Sequence, residues 1–130
     1  MITLLFKITP VPASRPRVTR WGVFYPKKYT QFRKDMEKLL LGKRTVYSEK
    51  LKIQTTFYIP FAKSVSKKER AELAGSYCVG NFDLDNLDKA LWDCLNNVVW
   101  IDDKQVVEHL SRKVWTDGEG QIELKIERLK

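Results

Sequence analysis

Hydrophobic and polar positions along the chain change period several times, and each change marks an element. Ile2 to Ile8 is a β-rich run that predicts a first strand. Pro10, Pro12 and Pro16 then forbid regular structure and leave an extended segment carrying Arg15, Arg17 and Arg20. Trp21 to Tyr25 reads as a turn and a short strand. From Lys27 to Leu41 the apolar residues Tyr29, Phe32, Met36, Leu39 and Leu40 form one stripe, with Pro26 at its start and Gly42 past its end. That is a helix with its expected punctuation. Leu51 to Tyr58 alternates as a strand does and stops at Pro60. Ser66 with Glu69 has the spacing of a capping box and opens a short helix reaching Ala74. Gly75 to Gly80 is a loop.

A second main helix follows from Leu87, Ala90, Leu91, Cys94, Leu95 and Val98, which recur with the helical period. Asn96-Asn97 stops it, and Val98 to Ile101 reads as a short strand. Val106 to Trp115 alternates over a longer run. Asp117-Gly118-Glu119-Gly120 is a turn, and Ile122, Leu124 and Ile126 mark a last strand, expected to pair with its predecessor as a hairpin. The pattern predicts an α+β domain: one mixed, largely antiparallel sheet with two main helices packed on it.

Composition narrows the class. A chain of 130 residues has room for one core. It contains no run of eighteen apolar residues, and its start, Met1 to Lys7, is too short and unlike a signal peptide, so a cytoplasmic protein with no membrane partner is expected. Cys78 and Cys94 with a single histidine make no zinc pattern. Cys94 falls on the apolar stripe as a small core residue, and His109, in an alternating run, reads as structural. Nothing marks the nucleophile elbow of a serine hydrolase.

Charge changes the picture more. Residues 1–70 hold seventeen Lys and Arg against four acids, whereas residues 71–130 hold seven against twelve, within a net charge of +8. Such asymmetry predicts a polyanion-binding surface beside an acidic pocket, and nucleic acid is the obvious polyanion. Arginines in a proline-stiffened loop suit phosphate, because the guanidinium fork matches phosphate oxygens. Arg15, Arg17 and Arg20 are therefore candidate DNA contacts, joined by Lys27 and Lys28 at the start of the first helix.

Six of the sixteen acids (Asp83, Asp85, Asp88, Asp93, Asp102 and Asp103) crowd into twenty-one residues of this basic chain. Carboxylates so close repel one another unless something positive sits among them. A hard cation is the natural partner, and Mg²⁺ takes oxygen donors from only one or two carboxylates while keeping positions for water and phosphate. Asp83 and Asp85 lie at the start of the second helix, and Asp85 and Lys89, four apart, share one of its faces. Competing readings exist for each. Asp83 suits a helix cap, Asp85–Lys89 suits an exposed pair worth ~0.3–0.5 kcal/mol, Asp102-Asp103 suits a turn, and Asp88 and Asp93 read as solvated. Alternation leaves open which of Asp102 and Asp103 faces the metal, since neighbours on a strand point opposite ways.

The motif Asp83-Leu-Asp85-Asn86-Leu-x-Lys89, a helix ending Leu95-Asn96, and Asp102-Asp103-x-Gln105-Val106 together resemble the RusA-type Holliday junction resolvases. The opening Pro12-Ala-Ser-Arg15-Pro16-Arg17 and Tyr25-Pro26-Lys27-Lys28-Tyr29 is also similar, so the likeness runs from about residue 8 to 115. It implies one endonuclease domain over residues 1–130. Asp83, Asp85 and Asp103 would be metal ligands, with Asp103 favoured over Asp102. Lys89 would act on the phosphate, with Mg²⁺ as cofactor and Mn²⁺ as a substitute. It further implies a homodimer making paired nicks in four-way DNA, of phage or prophage origin in a bacterial cell. Asn86 would hold the loop or a ligand, and Phe82 serves as a wedge against an unstacked base or as core. The alternatives are a non-catalytic basic DNA-binding protein and a metal nuclease acting on other branched DNA or on RNA.

Overall fold

The computed structural model describes residues 1–42, 46–80 and 82–130; Asn81, which opens the acidic stretch, lies outside them. The elements are β1 (Ile2–Phe6), β2 (Arg17–Thr19), β3 (Gly22–Phe24), α1 (Lys27–Leu39), β4 (Lys50–Pro60), α2 (Lys67–Leu73), α3 (Leu84–Leu95), β5 (Val106–Thr116) and β6 (Gln121–Leu129). A single 3₁₀ turn, Asp103–Gln105, leads into β5.

Four strands form one mixed sheet in the order β1-β6-β4-β5, and β2 pairs with β3 as a separate ribbon. The α+β expectation holds. β6 runs antiparallel to both β1 and β4, whereas β4 and β5 run parallel. The expected β5–β6 hairpin is thus wrong: β4 lies between the two strands. Alternation identifies strands but not partners. β4, buried along one face at Leu51, Ile53, Thr55, Phe57 and Ile59, is the strand best suited to the sheet centre.

The core lies between one face of this sheet and the two long helices. Phe6, Leu51, Ile53, Phe57, Ile122, Leu124 and Ile126 meet Phe32 and Met36 of α1 and Leu87, Ala90, Leu91 and Leu95 of α3. Each large side chain so buried contributes ~1.5–3 kcal/mol relative to exposure. Ser66 caps α2 as its spacing predicts, accepting from the Glu69 amide at 3.2 Å.

α3 starts three residues earlier than its apolar stripe and ends at Leu95, where Asn96 and Asn97 stop it as expected. Asn97 takes the left-handed conformation (φ 66°), which asparagine tolerates well. The strand expected over Val98–Ile101 does not form. Val98 and Val99 sit in a turn whose amides return to the Leu95 carbonyl. Only Trp100 makes isolated bridges, to Tyr47 and Asn96. Trp100 is fully buried, and its indole N–H donates to Asn96 Oδ1 at 2.6 Å. Burial of that ring holds the segment in place of a strand ladder.

Among the described residues no helix is long and apolar enough to cross a membrane.

Candidate active site

Two elements bring the acids together. α3 carries Asp85, Asp88, Lys89 and Asp93, and the turn before β5 carries Asp102 and Asp103. Asp85, Asp88, Lys89, Trp92, Asp93, Asp103 and His109 line one open pocket of about 350 Å³. Asp85 and Lys89 are exposed on one helix face, as their spacing predicts. Asp83 occupies the N-cap position of α3 but makes no capping hydrogen bond, and it does not line this pocket.

The neighbouring acids separate by role. Asp102 turns its carboxylate onto its own backbone and accepts from the Lys104 amide at 2.9 Å. Asp103 lines the pocket, where Asn96 Nδ2 donates to its Oδ2 at 3.4 Å. Gln105 fixes the turn. Its Oε1 accepts from the amides of Ile101 (2.9 Å) and Asp102 (3.0 Å), and its Nε2 donates to the carbonyls of Tyr47 and Glu49, both at 2.9 Å. The starts of the parallel strands β4 and β5 are thereby tied together beside Asp103.

Asp88 is not the solvated residue its pattern suggested. It is 5% exposed, wedged between α3 and β5, and Ser111 Oγ donates to its Oδ1 at 2.7 Å. Burial is the main cause that raises its pKa, opposed by the Ser111 hydrogen bond and the His109 charge, with Asp85 adding to the rise. His109, read as structural, instead lines the pocket with a 42% exposed side chain, its Nδ1 3.3 Å from Ser111 Oγ and 4.0 Å from Asp88 Oδ2. Trp92 meets the imidazole edge-on, with centroids 5.1 Å apart. Strand period carried a usable signal here, because His109 and Ser111, two apart, share a face of β5.

The basic segment is tied to the acid-bearing helix. The Ala13 amide donates to the Asn86 carbonyl at 2.8 Å, so Asn86 holds this loop through its backbone. Beyond that point Arg15, Arg17 and Arg20 are exposed, although Arg17 opens β2 instead of lying in an irregular segment. Arg20 stacks over the Trp21 ring at 5.0 Å. Lys27 and Lys28 border a groove of about 880 Å³ that also includes Pro10, Pro12, Phe61, Phe82 and Trp115. Phe82 is half-buried there, packed against the core, and Lys113 Nζ bonds its carbonyl.

Among the described residues no three His, Cys, Asp or Glu side chains are placed to hold one metal ion. The donor chemistry still fits a magnesium-type ion. Asp85 and Asp103 offer carboxylates to the same pocket, and such an ion uses only one or two.

The family model for endodeoxyribonuclease RusA matches residues 7–127. The chain belongs to the RusA family. Membership makes it an endodeoxyribonuclease, a hydrolase of DNA phosphodiesters. No curated protein matches the chain. The matched span takes in the RusA-like acidic block, its Asp-Asp-x-Gln partner and the basic opening.

Proposed function

We propose that this RusA-family chain is a Mg²⁺-dependent, structure-selective endonuclease that resolves four-way DNA junctions by paired symmetric nicks. The observation that carries the reading is the meeting of Asp85, Lys89 and Asp103 in one pocket, in a chain whose net charge is +8. Asp85 and Asp103 would hold the ion, whereas Asp83, exposed at the N-cap of α3, stands outside the pocket they share. When bound, Mg²⁺ would polarise the phosphate and acidify an attacking water. Mn²⁺, with similar oxygen preference, would substitute.

The chain's own residues do the rest. Lys89, one helical turn from Asp85, places a cation against the nonbridging oxygens, where charge grows in the transition state. Arg15, Arg17, Arg20, Lys27 and Lys28 contact backbone phosphates, which positions the strand without reading bases. Junction preference then comes from shape and deformability. A homodimer would present one pocket to each of two symmetry-related strands, since a closed two-fold assembly matches a two-fold substrate. Such an enzyme would work in the cytoplasm of a bacterial cell, on recombination or repair intermediates, and a phage or prophage source agrees with the family resemblance.

The test is cleavage of four-way, flap, linear duplex and RNA substrates at one salt concentration, with Mg²⁺ and with chelator. Resolution of the four-way substrate only with Mg²⁺, lost in Asp85→Asn with binding retained, supports the reading. Junction binding with no cleavage by the native chain would instead make it a non-catalytic DNA-binding protein. Stronger cutting of flaps or RNA would move it to another nuclease class.

A further inference from the structure

The pocket holds an imidazole that neither the sequence pattern nor the family motif selects. His109 sits on β5 across from α3, and three contacts fix its ring. Ser111 donates its hydroxyl proton to Asp88 Oδ1 at 2.7 Å, so its oxygen lone pairs face His109 Nδ1 at 3.3 Å. Nδ1 then carries a proton and donates it to Ser111. The Asp88 Oδ2 atom, 4.0 Å away, backs the same nitrogen with negative charge. Trp92 packs edge-on against the ring, with interplanar angle 85°. This is the geometry of an imidazole oriented by a buried acid, which fixes the working nitrogen as the other one. Nε2 has no hydrogen-bond partner among the described residues, and the ring lines the pocket shared with Asp85, Lys89 and Asp103.

Resting on the nuclease reading, we propose that His109 is a catalytic residue whose Nε2 gives its proton to the departing 3′ oxygen. In that step the water oxygen forms a new bond to phosphorus while the P–O3′ bond breaks. The electron pair of the broken bond goes to O3′, which takes the Nε2 proton. The attacking water's proton passes to solvent, and the neutral imidazole is reprotonated from solvent. Imidazole suits the task because its ordinary titration range lies nearest neutral pH, where proton transfer is most efficient. The charged groups around the ring are Asp85, Asp88, Lys89 and Asp93 from α3 and Asp103 from the turn before β5. Ser111 and Asp88 act as positioning residues.

The experiment compares native protein with His109→Gln on two junctions, one with an ordinary scissile phosphodiester and one with sulfur replacing O3′. A thiolate leaves without a proton. His109→Gln should lose about 10²–10⁴-fold on the oxygen linkage and less than about tenfold on the sulfur linkage, with junction binding unchanged. Equal losses on both linkages, or no loss on either, overturn the proposal. His109 is the only histidine, so its ring signals are unambiguous by NMR. With chelator present, adding a four-way junction should raise its titration midpoint, and Ser111→Ala should weaken that rise. A midpoint indifferent to DNA that the protein demonstrably binds overturns the assignment even if cleavage is normal. A native chain that cuts neither junction with Mg²⁺ overturns the nuclease reading as well.

Discussion

Removing the Gln105 side chain tests how the site is held. Gln105→Ala deletes four hydrogen bonds of 2.9 to 3.0 Å, two accepted from the Ile101 and Asp102 amides and two donated to the Tyr47 and Glu49 carbonyls. A typical intramolecular hydrogen bond contributes ~0.5–1.5 kcal/mol net. The site is half-buried, so water replaces some partners, and a loss of ~2–3 kcal/mol is expected. In a chain of this size that lowers Tm by roughly 8–12 °C. Urea unfolding followed by tryptophan fluorescence measures it, with the m-value unchanged if only stability moves. Gln105→Glu sharpens the test. The carboxylate can still accept from the two amides, but it turns its second oxygen toward two carbonyls. It should therefore destabilise at least as much as alanine at neutral pH and recover on acidification, when that oxygen regains a proton. Cleavage should fall further than junction binding, because Asp103 sits within the loosened turn. A loss below ~1 kcal/mol with normal cleavage would refute this role.

Four further outcomes are expected. Lys89→Ala should cut turnover by about 10²–10³-fold with junction binding intact, by analogy with loss of one transition-state donor; single-turnover cleavage and gel shift separate the two. Arg15→Ala with Arg17→Ala should reduce the slope of log K against log salt by about 2 in magnitude, read from binding titrations at several salt concentrations. Burial raises the Asp88 pKa, so the native state binds its proton more tightly than the unfolded state and stability falls as pH rises through that interval. Asp88→Asn removes this dependence and should gain on the native chain from acid to neutral pH in urea titrations. The Cys94 thiol, pushed up to about 11 by burial, and buried Cys78, raised by the same cause, should react slowly with a disulfide reagent at pH 8 and rapidly in urea.

Local pattern was enough for most of the elements and for half of the pocket. α1, α2, β4 and β6 lie where period and capping place them, because each signal is internal to a short window. Asp85 and Lys89 share a face for the same reason. Strand pairing was not legible, since alternation in β5 and β6 fits either neighbour and only the burial of β4 decides which strand is central. Asp88 was misread because it borders the apolar stripe at Leu84 and Leu91, and no local rule says that a serine on the facing strand β5 will donate to it. His109 needed that same partner. Asp102 and Asp103 could not be separated by period, because a 3₁₀ turn and not a strand presents them. That Asn86 anchors the basic loop through its carbonyl was equally beyond a reading of side chains.

Parallel pairing of β4 with β5 also bears on how quickly the enzyme can form. Antiparallel neighbours can zip from a tight bend, but these two strands enclose a long crossover that includes both α2 and α3. Asp85 and Lys89 lie inside that excursion and Asp103 at its exit, so the ends must meet before the pocket exists. Such closure carries an entropic cost that local contacts cannot offset early, which places it late in folding. On dilution from denaturant, helical signal should return before DNA cleavage does, and the lag between them times the closing of this one loop.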